Sequence, residues 1–104
     1  MFKISKIIDD IPSEAKLAIW GTGHHASMLY ANTNLKSKNI VAILDSDPKK
    51  KDMDMFGMKI KPFDDEMVLN GEIDTILIAS YTAQNAIKNA IEKKKLPVNI
   101  VLLY

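Results

Sequence analysis

Apolar positions recur along this chain with two different periods, and their alternation predicts an α/β domain. Ile4, Ile7, Ile8 and Ile11 fall at helical spacing and form one apolar stripe, which Pro12 ends. Leu17-Ala18-Ile19-Trp20 is a short unbroken apolar run stopped by Gly21, as expected of a parallel strand buried on both faces. Met28, Leu29, Ala31 and Leu35 give residues 24–35 an apolar helical face. Ile40-Val41-Ala42-Ile43-Leu44 reads as a second buried strand, stopped by Asp45-Ser46-Asp47-Pro48. Met58 and Ile60 alternate with Lys59 and Lys61, the pattern of a half-exposed edge strand. Pro62 then opens a short helix with Asp64, Asp65 and Glu66 in its first turn, and Asn70-Gly71 closes it. The segment from Ile73 to Ala79 is another buried strand. Ala83, Ala86, Ile87, Ala90 and Ile91 share one face of a helix over residues 82–95, with Lys93, Lys94 and Lys95 at its C-terminal end. After Pro97, residues 99–104 form the last strand.

Buried strands separated by helices imply a mostly parallel sheet covered on both faces. The expected fold is a Rossmann-like three-layer α/β domain with five strands in the order 3-2-1-4-5. Residues 1–104 make a single domain, with an N-terminal helix over 1–12 and the core over 16–104. A chain of 104 residues can bury one core but has little surplus for a second lobe to hold substrate, which counts against a complete dehydrogenase.

Charge and composition narrow the function. The formal net charge is +1, so no positive field draws nucleic acid. Cysteine is absent, which excludes disulfides, thiol catalysis and cysteine-ligated zinc, and fits a cytoplasmic protein. The N-terminus is broken by Lys3 and Lys6, unlike a signal peptide, and no apolar run is long enough to span a membrane.

The chemistry is expected at one loop. Gly21, Gly23 and Ala26 fall at G-x-G-x-x-A between a predicted strand and a predicted helix. There the first glycine permits the tight turn, the second lets a phosphate approach the backbone, and the small third residue packs helix on strand. The helix amides at this point are unpaired donors at the positive end of the dipole. Asp45, with Ser46 beside it, ends the second strand, where an acid can accept hydrogen bonds from ribose hydroxyls. The expected nucleotide-binding set is Gly21, Thr22, Gly23, His24, His25, Asp45, Ser46, Ser80 and Tyr81. Ser80 and Thr82 are also candidates to cap the following helix, and Tyr81 to stack on a base or sugar.

His24 and His25 do not make a metal site. Adjacent helical residues point about 100° apart, and no third histidine or cysteine exists to complete a ligand set. One is expected to face ligand or solvent and the other to pack. Lys49, Lys50 and Lys51 read as a solvated loop, with Met53, Met55 and Met58 as core filler beneath it. A Tyr-x-x-x-Lys dyad is missing, because Tyr81 is followed at i+4 by Asn85 and Tyr30 by Asn34. A nucleophile elbow and a P-loop are missing too, so no catalytic residue is expected.

The run Ile19-Trp20-Gly21-Thr22-Gly23-His24-His25-Ala26, with Ile43-Leu44-Asp45-Ser46-Asp47-Pro48-Lys49, Gly57-Met58-Lys59-Ile60 and Asp74 to Ser80, resembles a bacterial surface-polysaccharide module. It is similar to the Rossmann-like domain of nucleotide-sugar dehydratases and epimerases. It is also similar to the N-terminal nucleotide-sugar-binding domain of bacterial sugar acetyltransferases. The resemblance covers residues 16–104. Gly21, Gly23, His25 and Ala26 match the acetyltransferase loop, His24 stands where that group has glycine, and Asp45 matches its nucleotide-contacting acid. The catalytic parts of both groups are absent from these residues. The resemblance therefore implies a binding module for a UDP-sugar, another nucleotide or NAD, without its own reaction centre. Two further readings stay open: a degenerate Rossmann domain used for protein association, as a homodimer or against a C-terminal catalytic domain, and a fragment of an NAD-dependent epimerase or dehydratase.

Overall fold

The computed structural model describes residues 2–104; Met1, included in the expected N-terminal helix, lies outside the described residues. In chain order the elements are α1 (Phe2–Asp9), β1 (Leu17–Trp20), α2 (His24–Asn32), β2 (Ile40–Leu44), β3 (Asp54–Met55), β4 (Met58–Lys61), α3 (Asp65–Leu69), β5 (Thr75–Ile78), α4 (Gln84–Lys93) and β6 (Asn99–Leu102). Short 3-10 turns lie at Asn34–Ser37 and Pro48–Lys50. The strands form one six-stranded sheet in the order β3-β4-β2-β1-β5-β6. Every pairing is parallel except that of β3 with β4.

Side-chain alternation along the strands divides the core between the two faces of this sheet. Leu17, Ile19, Ile43 and Leu77 point to one face and pack with Ile8, Ala26, Leu29 and Leu35 from the region of α1 and α2. Ala18, Ala42, Leu44, Ile76 and Ile78 point to the other and pack with Met67, Val68 and Ile91 from α3 and α4. β5 is buried along its whole length, as its unbroken apolar run predicts. β2 is buried only from Ala42 onward, and Val41 is exposed where the strand enters the sheet.

β3 is an addition to the five expected strands. Met55-Phe56-Gly57-Met58 makes a two-residue hairpin turn in which Phe56 (φ 54°) and Gly57 (φ 80°) both adopt left-handed backbone. Such a turn matches the twist of the strands it joins. A phenylalanine rarely supplies the first left-handed position. Here its ring stacks on Tyr30, with centroids 4.0 Å apart and planes within 8°. Met55 and Met58 pack against the first core cluster, but Met53 is 54% exposed and is not core filler.

Four helix boundaries also depart from the expected ones; α1 stops at Asp9, short of Pro12. α2 stops at Asn32 because the Thr33 hydroxyl donates to the Leu29 carbonyl and accepts from the Leu35 amide, turning the chain into a 3-10 turn that still buries Leu35. α3 starts at Asp65, not Pro62, because the Asp64 carboxylate accepts the Glu66 amide and caps the helix. α4 runs from Gln84 to Lys93, inside the expected 82–95.

Candidate functional site

The site begins where β1 ends. The Gly21 amide donates to the Leu44 carbonyl at 2.9 Å, and the Ala79 amide donates to the Trp20 carbonyl at 2.8 Å, so the turn is clamped between β2 and β5. Gly21 has φ +116°, and a Cβ built there lies 3.3 Å from both the carbonyl carbon and oxygen of Ala79. Two independent constraints therefore require glycine: a left-handed backbone and close passage of the β5 chain. Gly23 is different. Its φ of −78° suits any residue, and a Cβ there meets nothing within 4 Å. It is the N-cap of α2 and offers no side-chain cap. The His24 and His25 amides consequently have no protein acceptor among the described residues. Ala26 is fully buried at the helix–strand contact expected of it.

Asp45 ties this loop to the end of β2. Its Oδ2 accepts the Thr22 hydroxyl at 2.5 Å and the Thr22 amide at 3.2 Å, and its Oδ1 accepts the Asp47 amide at 2.8 Å. Thr22 itself is 9% exposed. Burial pushes the Asp45 carboxyl up, but the Thr22 hydroxyl, the Asp47 amide, the Lys50 charge and the Thr22 amide together hold it below its ordinary 3.8. The acid is thus engaged first by the protein's own loop. With about two acceptor positions per oxygen, Oδ2 is filled and Oδ1 keeps one free. A ribose diol would find a single free acceptor there.

The sign of the resulting pH dependence follows from the lowered pKa. Stability contributed by Asp45 is fully present above the unfolded value near 3.8 and is lost as pH falls through the lower folded value. Asp45→Asn should therefore lower the melting temperature at pH 7 yet shrink the further loss between pH 4 and pH 2. A melting series of both proteins over that range checks it. Thr22→Val should destabilise by about 1 kcal/mol, the usual net worth of such a bond in a partly exposed setting.

The histidines divide as expected. His24 is exposed, and His25 is half-buried. His25 lies against Tyr104, with ring centroids 5.2 Å apart and Nδ1 3.3 Å from the phenol oxygen. Its Nε2 is buried without a hydrogen-bond partner. Tyr104 also meets Tyr81 edge-on at 5.1 Å, and its carbonyl accepts the Gln84 side-chain amide at 2.9 Å. Tyr104, Gln84 and Thr82 are absent from the sequence-derived set. The available signal was topological: in a parallel sheet the end of the last strand emerges beside the ends of β1 and β5. The Ser80 hydroxyl accepts the Ala83 amide at 3.2 Å, while α4 itself begins without a side-chain cap. Ser80 thus secures the turn before the helix.

Eight of the nine expected residues share one cleft of about 320 Å³: Gly21, Thr22, Gly23, His24, His25, Asp45, Ser80 and Tyr81. Ser46 does not. It lines a separate cleft with Trp20 and Phe63, whose rings stack at 5.2 Å. Lys50 is the lysine of the 49–51 run that acts on Asp45. Among the described residues no group of three or more His, Cys, Asp or Glu side chains is placed to hold a metal ion, and no helix is long and apolar enough to cross a membrane.

The fold and cleft define an α/β domain in which a glycine turn at the carboxyl edge of a mostly parallel sheet opens a helix N-terminus. The chain belongs to the C2185-like, N-terminal family, whose match spans residues 13–101. That span leaves out α1 and contains every residue of the cleft. No curated protein matches the chain.

Proposed function

We propose that this is a Rossmann-like, three-layer domain that binds a nucleotide or nucleotide-sugar at the Gly21–Ala26 loop. Setting the antiparallel β3 aside, the parallel strands run β4-β2-β1-β5-β6, which supports the 3-2-1-4-5 reading. The observation that carries the functional reading is the convergence of two segments. The loop after β1 and the segment after β5 line one cleft at the strand carboxyl ends, beside a helix start with free amides. A phosphate fits against Gly23 and the His24 and His25 amides, where no Cβ intrudes. A base or sugar would lie on Tyr81, which is 70% exposed.

The likeness of Gly21, Gly23, His25, Ala26 and Asp45 to the sugar acetyltransferases' binding loop favours a UDP-sugar or related nucleotide over NAD, and Asp45 keeps one free acceptor for the ribose of either. The role is cytoplasmic, within bacterial surface-polysaccharide or sugar-nucleotide metabolism, with the chemistry performed elsewhere. Calorimetric titration with UDP, a UDP-sugar, NAD and coenzyme A tests this reading. Saturable binding of UDP or the UDP-sugar, tighter than that of NAD, is the expected result. Heat from none of them would end the proposal.

A further inference from the structure

The geometry points to Tyr104 as a positioning residue for the nucleotide cleft: its phenol holds the His25 imidazole in the form that carries the proton on Nε2, and its ring ties the two walls of the cleft together. The inference rests on the nucleotide-binding reading above. Tyr104 does not itself line the cleft. It touches an aromatic side chain on each wall. The His25 ring, from the loop after β1, lies 5.2 Å away between centroids, and Tyr81, from the segment after β5, meets Tyr104 edge-on at 5.1 Å. The main chain of Tyr104 is held separately, because its carbonyl accepts the side-chain amide of buried Gln84 at 2.9 Å. The phenol ring is thus a brace between the two walls, with an anchor of its own on α4.

The phenol–imidazole contact has a chemical consequence. Nδ1 stands 3.3 Å from the phenol oxygen. A neutral imidazole has one N–H and one acceptor nitrogen, and the partner at one nitrogen decides the state of the other. The imidazole lone pair is a stronger acceptor than the phenol oxygen, whose lone pairs are drawn into its ring. The phenol therefore donates to Nδ1, and the ring proton stays on Nε2. That nitrogen is buried and has no partner. A buried N–H without an acceptor is costly, and it marks a place where an acceptor belongs.

The charged and polar groups of the cleft do not fill that place. Asp45 is turned to Thr22 and Asp47, Lys50 acts on Asp45, and His24 is exposed. The main-chain amide of His25 lacks a protein acceptor as well. Ring and main chain of this one residue therefore offer two unpaired donors, which suits an oxyanion, a group that only accepts. Tyr81, 70% exposed at the rim, swings aside to admit it. Among the described residues, Gln84 Oε1 is the other buried side-chain atom without a partner, so a water shared by the two atoms is the rival occupant.

Long-range proton–nitrogen NMR spectra of the histidine rings, recorded at about pH 8, test the positioning in the free protein. Wild type should show His25 protonated on Nε2. Tyr104→Phe, which keeps the ring and removes only the hydroxyl, should show a mixture of the two forms. UDP should move the wild-type Nε2 signal, and Tyr104→Phe should weaken UDP binding by about three- to tenfold. A wild-type ring protonated on Nδ1, equal UDP affinity in Tyr104→Phe, or UDP bound with the Nε2 signal unmoved, as a structural water there would leave it, would each overturn the inference and leave the nucleotide reading standing. Should UDP not bind at all, that reading falls and inorganic phosphate becomes the probe. A phosphate-dependent shift at His25 Nε2 that Tyr104→Phe diminishes would uphold the positioning role without the nucleotide, and its absence would end both.

Discussion

Gly21→Val is expected to destabilise the protein by about 2–6 kcal/mol, from left-handed strain of about 1–3 kcal/mol and overpacking of similar size. Both contributions are visible in the structure. The residue sits at φ +116°, which a β-branched side chain rarely adopts, and its Cβ would stand 3.3 Å from the Ala79 backbone. Ala79 cannot yield easily, because its amide bonds the Trp20 carbonyl and its side chain is buried. Domains of this size hold roughly 5–15 kcal/mol in total, so the variant would lose a large share. The melting temperature should fall by about 10–30 °C. Gly57→Ala supplies the control. That position has φ +80° but nothing within 4 Å of a built Cβ, so only the backbone strain applies and the fall should be smaller. Equal losses at the two sites would show that the β1–β5 approach does not matter.

Gly23→Val is expected to do the reverse: to leave stability within about 1 kcal/mol of wild type while abolishing nucleotide binding. The backbone at Gly23 is ordinary, its Cβ would project into open space, and the N-cap uses no side chain there. That same open space is where a phosphate would meet the first-turn amides. A branched side chain occupies it and holds an anion beyond hydrogen-bond reach of the helix start. Melting curves and calorimetry on the same preparation separate the two effects. A folded Gly23→Val that binds UDP as wild type does would remove the phosphate from this loop.

The contrast between the two glycines shows what the sequence could and could not say. G-x-G-x-x-A after an apolar run placed both of them in one turn, and spacing alone treated them as parts of one motif. Only the position of β5 reveals that Gly21 is held by chain packing and Gly23 by nothing in the protein itself. The strands were legible because a buried parallel strand must be apolar on both faces, and Leu17–Trp20, Ile40–Leu44 and, after Thr75, the rest of β5 are. β3 was not legible. Two residues carry no period, and the turn after it relies on Phe56, whose left-handed backbone accompanies a stack on Tyr30 from a distant helix. Helix starts were misplaced where a local side chain decided them, as at Asp64.

Asp45 is the most informative departure. Its place at the end of β2 was readable, and so was its proximity to the loop. That Thr22 would take it was not, since the pairing depends on how deeply the turn sits between strands. Tyr104 was overlooked for a related reason. Nothing in its neighbourhood marks it, and it joins His25 and Tyr81 only because β6 runs parallel to β5.

The most direct measurement is an amide-resolved NMR titration of the uniformly labelled protein with UDP. The account predicts saturable shifts concentrated at Gly21, Thr22, Gly23, His24, His25 and Ala26, with Asp45 and Tyr81 moving at the same ligand concentrations. Shifts absent from that loop, or confined to the lysines at 49–51 and 93–95, would contradict it.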